Sequence, residues 1–188
     1  MSFGKLVLVT GGARSGKSLY SEEMAKKLGN KILYVATSIP YDDEMKKRIE
    51  DHRNSRPDYW ETYEGFKNLH KVLEEKGKDY DGVLLDCITV MITNLMFSEQ
   101  NFDESKIQQE SVDKVEKEIS KQLTLLVNTA KEKGINLILV TNEVGSGIVP
   151  ESKLGRVFRD LAGRANQLLA KRADEVYLLV SSIPVKIK

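Results

Sequence analysis

Eight consecutive residues, Gly11-Gly12-Ala13-Arg14-Ser15-Gly16-Lys17-Ser18, fit the pattern G-x-x-x-x-G-K-S/T at every fixed position. The chemistry of such a P-loop is phosphate binding. Its glycines let the backbone curl so that successive N–H groups converge on phosphate oxygens. A helix opening near Gly16 adds the positive end of its dipole. Lys17 can reach the β- and γ-phosphates, and the Ser18 hydroxyl suits a Mg²⁺ ligand. The apolar run Leu6-Thr10 precedes the loop and a helical pattern follows it, which is the context the motif requires. The sequence predicts a chain that binds a nucleoside triphosphate.

A second group of reactive residues is Arg48, His52 and Arg56, spaced i, i+4, i+8 in a segment that opens on acids and stops at Pro57. On a helix the three share a face. Flanking guanidiniums disfavour imidazole protonation and so keep a lone pair free for attack. They could also hold a triphosphate and spread charge developing at phosphorus. Spacing alone is met more simply by a solvated basic helix end. His70 has no such surroundings and reads as a surface residue of its helix. A carboxylate, Asp86, closes the run Val83-Leu84-Leu85 and suits Mg²⁺ or its waters, since burying it unpaired is expensive. Thr37-Ser38 and Glu143 also end apolar runs, at the strand edge where ligands of open α/β sheets collect.

The elements that must position these groups alternate. Strand candidates are Leu6-Thr10, Ile32-Ala36, Val83-Cys87, Leu137-Thr141 and Glu175-Val180, with a short last strand at Val185-Ile187 after a turn. Their continuous hydrophobicity suits a parallel sheet covered on both faces. Helical patterns fall at about Lys17-Leu28, Asp43-Asn54, Phe66-Lys76, Ile88-Phe97, Glu104-Lys133 and Gly155-Arg172. Repeated strand–helix–strand units predict a three-layer α/β domain. The 188 residues fit one domain, and 29 Lys plus Arg against 28 Asp plus Glu argue against a general nucleic-acid or membrane-surface binder. A single cysteine, Cys87, excludes an internal disulfide and a cysteine-based zinc site. No run approaches the roughly 18 apolar residues of a membrane span, and with no leader pattern a cytoplasmic protein is expected.

Further segments carry a resemblance. These are Tyr34-Val35-Ala36-Thr37-Ser38, Arg48-Ile49 with His52, Arg56-Pro57, Trp60, Thr62 and Glu64, and Leu85-Asp86-Cys87-Ile88-Thr89 with Thr93-Asn94-Leu95. After them come Thr141-Asn142-Glu143-Val144-Gly145-Ser146-Gly147-Ile148-Val149-Pro150-Glu151, then Phe158-Arg159-Asp160, Gly163-Arg164 and Asn166-Gln167. With the P-loop they resemble the bifunctional adenosylcobinamide kinase/adenosylcobinamide-phosphate guanylyltransferases of cobalamin biosynthesis, over nearly the whole chain.

The resemblance implies a RecA-like P-loop NTPase domain, α/β in three layers, with a mostly parallel central sheet and a C-terminal hairpin. It implies two reactions. A γ-phosphoryl group passes from ATP or GTP to adenosylcobinamide. A histidine then attacks the α-phosphorus of GTP and passes GMP to adenosylcobinamide phosphate. His52 matches the guanylylated histidine, and transfer through imidazole replaces one difficult displacement by two easier ones. By position, Gly11 to Ser18 bind triphosphate, and Ala36, Thr37, Ser38, Arg53, Asn54, Ser55 and Arg56 line the nucleotide site. Glu64 and Asp86 match nucleotide-contacting positions. Relatives form homotrimers, which gives the apolar Ile88-Phe97 segment either a subunit neighbour or, more simply, burial in its own core. Ser182 stands where the family often has glycine.

One P-loop cannot present the γ-phosphate to a hydroxyl and the α-phosphate to His52 in a single pose. Either the nucleotide shifts or the 40–57 segment, with few apolar anchors, moves in as a lid. Two other readings stay open on residues alone: a P-loop kinase of another small alcohol, or a nucleotide-gated module without catalysis. Against the last, Thr141-Asn142-Glu143-Val144 is not the Asn-Lys-x-Asp base reader of regulatory GTPases.

Overall fold

The computed structural model describes residues 4–38, 57–98 and 107–188. In chain order these form β1 (Leu6–Gly11), α1 (Lys17–Lys26), β2 (Ile32–Ala36), β3 (Glu61–Glu64), α2 (Leu69–Lys76) and β4 (Gly82–Asp86). There follow α3 (Ile88–Ser98), α4 (Gln109–Lys133), β5 (Leu137–Val140), α5 (Lys153–Arg172), β6 (Glu175–Val180) and β7 (Ile183–Lys186). The expected helix at Asp43-Asn54 lies outside the described residues, as does the start of the one at Glu104.

Seven strands make one sheet in the order β3-β2-β4-β5-β1-β6-β7. All neighbours are parallel except β6 and β7, which form the expected hairpin. The strand carrying Asp86 is therefore separated from the P-loop strand by β5 alone. Register brings the strand ends level, with Ala36 opposite both Glu64 and Asp86, and Asp86 opposite Val140.

Side-chain alternation along the strands builds a core on each face. Leu6, Leu8, Leu33, Val35, Val83, Leu85, Leu137 and Leu139 face the larger core, where α2, α3, α4 and α5 pack. Val7, Val9, Ile32, Tyr34, Leu84, Ile138 and Val140 face the smaller one, which α1 covers through Ala25, with Tyr20 and Met24 at its margin. Both faces are buried, which is why β1, β2 and β5 read as unbroken apolar runs. In α4, Val112, Val115, Ile119, Leu123, Leu126 and Ala130 form the expected buried stripe, and Gly134 at φ 68° ends the helix. The Ile88-Phe97 segment is buried within its own chain through Ile88, Met91, Ile92, Leu95 and Met96.

Three local expectations change. Strand β3 has no apolar signature because it is an exposed edge, Glu-Thr-Tyr-Glu, whose strand partner is β2, with Glu61 bonded to Lys76 and Tyr80. The last strand begins at Ile183 rather than Val185, because the turn is only Ser181-Ser182 with φ of 49° and 67°. Pro184 is tolerated in that strand because β7 is an edge. His70 is half-buried, and its Nδ1 finds no hydrogen-bond partner among the described residues.

Candidate active site

The P-loop begins where β1 ends. Gly11 cannot be replaced without moving backbone, since a Cβ there would lie 2.5 Å from the Leu179 carbonyl oxygen and 2.7 Å from Ser15 Oγ. The chain then turns through Arg14 at φ 56° and Gly16 at φ 88°, with the Ser15 N–H donating to Gly12 O at 3.4 Å. Gly16 is required twice, by its φ and because a Cβ would meet Ser182 Oγ at 2.7 Å. The β6–β7 turn thus backs the loop, and its Ser182 N–H donates to Ser15 O at 2.9 Å. Ser182 adopts the left-handed conformation that glycine prefers, so serine keeps the turn at the expense of strain.

Helix α1 starts directly after Gly16 with no side-chain cap and no acidic residue in its first turn. Its leading N–H groups and the positive end of its dipole are therefore presented to an anion. The Lys17 side chain is buried, with Nζ 2.6 Å from Gly12 O and 3.4 Å from Ser15 Oγ. A phosphate entering the loop competes with that carbonyl for the ammonium. Desolvation lowers the Lys17 pKa, opposed by the fields of Cys87 and Asp86. Ser18 stands half-buried in the same first turn.

Asp86 ends β4 half-buried, and the Tyr34 hydroxyl from β2 donates to its Oδ2 at 3.1 Å. Ala36 and Glu64 sit at the same edge on adjacent strands, and Glu143 is tied to the P-loop because its N–H donates to Gly11 O at 2.9 Å. The Thr37 hydroxyl is committed elsewhere. It donates to Cys87 O at 2.8 Å and accepts from Cys87 N at 2.9 Å, so it joins β2 to β4 rather than presenting itself to a ligand. Ser38 follows it, half-buried. His52, Arg48, Arg53, Asn54, Ser55 and Arg56 lie outside the described residues, as does the 40–57 segment up to Arg56.

Composition and spacing give no hint of a polar lacing behind this edge. Asn94 Nδ2 donates to Thr37 O at 2.6 Å, and Cys87 Sγ lies 3.1 Å from Thr89 Oγ1. Asn142 Nδ2 donates to Thr89 Oγ1 at 2.6 Å, Asn166 Nδ2 to Asn142 O at 3.0 Å, and Thr141 Oγ1 to Asn166 Oδ1 at 2.7 Å. These bonds fasten the ends of β2, β4 and β5 to α3 and α5. The available signal was positional, in that short polar residues follow directly on three apolar strand ends. A cavity of about 260 Å³ lined by Tyr20, Met24, Lys27 and Tyr177 opens at the opposite edge, beside the strand starts at Lys5 and Asn136, and is separate from this site.

Residues 7–187 match the family described as cobinamide kinase / cobinamide phosphate guanyltransferase. This chain belongs to that family. Its relatives include bifunctional adenosylcobalamin biosynthesis proteins. The CobU of Escherichia coli K12 is 45% identical over 97% of this chain and 99% of its own length. The CobU of Salmonella typhimurium LT2 is 45% identical over 97% of this chain and 99% of its own. The Pseudomonas aeruginosa CobP is 34% identical, covering 96% of each. Among solved structures, a KaiC-like protein of Pyrococcus horikoshii superposes with a TM-score of 0.51 at 15% identity, over 94% of this chain and 71% of that one. That likeness speaks to the RecA-like fold alone. As a member of the cobinamide kinase/guanylyltransferase family the chain is an enzyme, and nucleotide substrates suit its P-loop. No helix among the described residues is long and apolar enough to cross a membrane.

Proposed function

We propose that the enzyme first phosphorylates the aminopropanol hydroxyl of adenosylcobinamide and then guanylylates the product through His52. In the first step the acceptor oxygen bonds to the γ-phosphorus of ATP or GTP, the bond to the leaving nucleoside diphosphate breaks, and the hydroxyl proton departs. In the second, an imidazole nitrogen of His52 bonds to the α-phosphorus of GTP and pyrophosphate leaves. A phosphate oxygen of adenosylcobinamide phosphate then displaces the histidine, giving adenosylcobinamide-GDP. The observation that carries the reading is the uncapped start of α1 behind a G-x-x-x-x-G-K-S loop, in a chain of this family.

In this reading Gly11 to Ser18 cradle the polyphosphate, and Lys17 neutralises charge on the transferring group. Ala36, Thr37, Ser38, Glu64, Arg53, Asn54, Ser55 and Arg56 complete the nucleotide site. Thr37 contributes through the backbone it fixes rather than through its hydroxyl. Ser18 and Asp86 would hold Mg²⁺. One hydroxyl and one carboxylate, completed by phosphate and water oxygens, is a donor set this ion accepts without an all-protein cage. Bound there, Mg²⁺ would neutralise the phosphates. The 188 residues act as one catalytic domain, supported by a single sheet that runs from β1 to β7, and the enzyme works as a cytoplasmic homotrimer.

Incubation with GTP labelled at either phosphate tests the proposal. The α-label should remain on the protein in an acid-labile, base-stable bond, and the γ-label should appear on adenosylcobinamide. His52→Ala should abolish the first while sparing at least part of the phosphorylation. Turnover to adenosylcobinamide-GDP with no nucleotide ever bonded to the protein would overturn it.

A further inference from the structure

The segment Val144 to Glu151 carries none of the nucleotide-site residues named above, yet its centre is the most exposed apolar feature of the ligand edge among the described residues. Ile148 is 94% and Val149 63% exposed, at the tip of the loop between β5 and α5. The tip is held at both ends. On one side the Gly145 N–H donates to Glu143 Oε1 at 2.8 Å. On the other, Arg156 Nη1 donates to Pro150 O at 2.9 Å and Glu151 O at 2.6 Å, and Ser152 caps α5 by accepting from the Gly155 N–H. Two large aliphatic side chains are thus presented to solvent from a fixed base, an arrangement that ordinary surfaces avoid and binding loops use.

The tip is also close to the chemistry. Glu143 is bonded to the P-loop, and the five steps from it to Ile148 span at most about 17 Å. Carboxylates of Glu143 and Glu151 flank it, balanced by the cations of α5, Arg156 on the carbonyls above and Lys153 on the Ile107 carbonyl at 2.7 Å. An apolar patch within an arm's length of the phosphoryl donor calls for a large acceptor with an apolar face. The cobalt(III) corrin carrying an alkyl ligand has one. Its side-chain amides could also pair with the exposed backbone of Ser146-Gly147.

We propose that residues 146–149 form the seat of the corrin ring, with Ile148 and Val149 packed on the macrocycle. The inference rests on the kinase/guanylyltransferase reading and deepens it by placing the acceptor.

The test separates the two. KM and kcat for adenosylcobinamide phosphorylation are measured for wild type, Ile148→Ser/Val149→Ser and Ile148→Leu/Val149→Ile. The same proteins are incubated with α-labelled GTP without corrinoid, and sedimented. The Ser pair should raise the corrinoid KM roughly tenfold with little change in kcat, while the aliphatic pair stays near wild type. Labelling by GTP and the assembly state should be unchanged, since neither uses the tip. An unchanged KM in the Ser pair, with wild type active in both steps, overturns the seat alone. A KM change that follows loss of assembly also overturns it, and assigns the tip to a second copy of the chain. A wild type that neither phosphorylates corrinoid nor takes label overturns the functional reading, and the seat with it.

Discussion

Replacing Ser182 by glycine should stabilise this enzyme although it removes atoms. Ser182 has φ 67° in a two-residue turn, and an L side chain in that region costs about 1–2 kcal/mol. Glycine recovers that strain and forfeits roughly 0.5–1 kcal/mol through the greater freedom of its unfolded chain. The net expectation is about 0.5–1 kcal/mol of added stability, or a rise in Tm of about 1–4 °C at this chain length. Denaturant unfolding is the assay, and the midpoint should move with no change in slope. A second variant isolates the packing of this turn on the P-loop. Gly16→Ala would set its Cβ 2.7 Å from Ser182 Oγ and 3.2 Å from the Ser182 backbone, besides adopting φ 88°. It should lose about 2–3 kcal/mol. Adding Ser182→Gly removes the clashes with the hydroxyl and Cβ but leaves the close approach to the backbone and the φ strain. The pair should therefore couple favourably by about 0.5–1 kcal/mol. Destabilisation by Ser182→Gly alone, or strictly additive effects, would refute the reasoning.

Lys17→Ala should slow both phosphorylation and self-guanylylation by about 100-fold or more, because both begin from the same bound triphosphate; rapid-quench assays with each label decide it. Asp86→Asn should lower turnover about 100-fold and shift the Mg²⁺ dependence to higher concentration, read from rate against added Mg²⁺. Hydrogen bonds from Lys186 and Lys5 hold Glu175 down to about 2. Its contribution is complete above the ordinary carboxylate range and is lost as pH falls toward about 2, so wild type should lose stability across that window more steeply than Glu175→Gln. Solvent at the pair limits the difference to about 1 kcal/mol, measurable as unfolding free energy against pH. Asn142→Ala should leave Thr89 Oγ1 without that donor and destabilise by about 1–2 kcal/mol in denaturant titrations.

The strands of the sheet interior were legible because both faces are buried, which writes an unbroken apolar run into β1, β2, β4 and β5. Strand β3 was not, because an exposed edge needs only backbone partners and leaves its residues free to be polar. The P-loop and Asp86 were readable from motif and position, since their chemistry restricts residue type. Thr37 shows the limit of such reading. Its place at the strand end suggests a ligand contact, but a hydroxyl bonds whatever lies nearest, and here that is the Cys87 backbone. The Thr89–Asn142–Asn166 lacing was invisible for a related reason. Its members are distant in sequence and meet only once α3, β5 and α5 are assembled.

The lacing encloses the chain's one cysteine. Cys87 is 9% exposed, and burial pushes its thiol up to about 11. An alkylating reagent therefore reaches a thiolate here only when the bonds across the ends of β2 and β4 part. The rate at which the native enzyme takes up such a reagent is a clock for that fluctuation, read without any introduced label, and slowing of the clock by GTP would time how the bound nucleotide quiets the scaffold behind it.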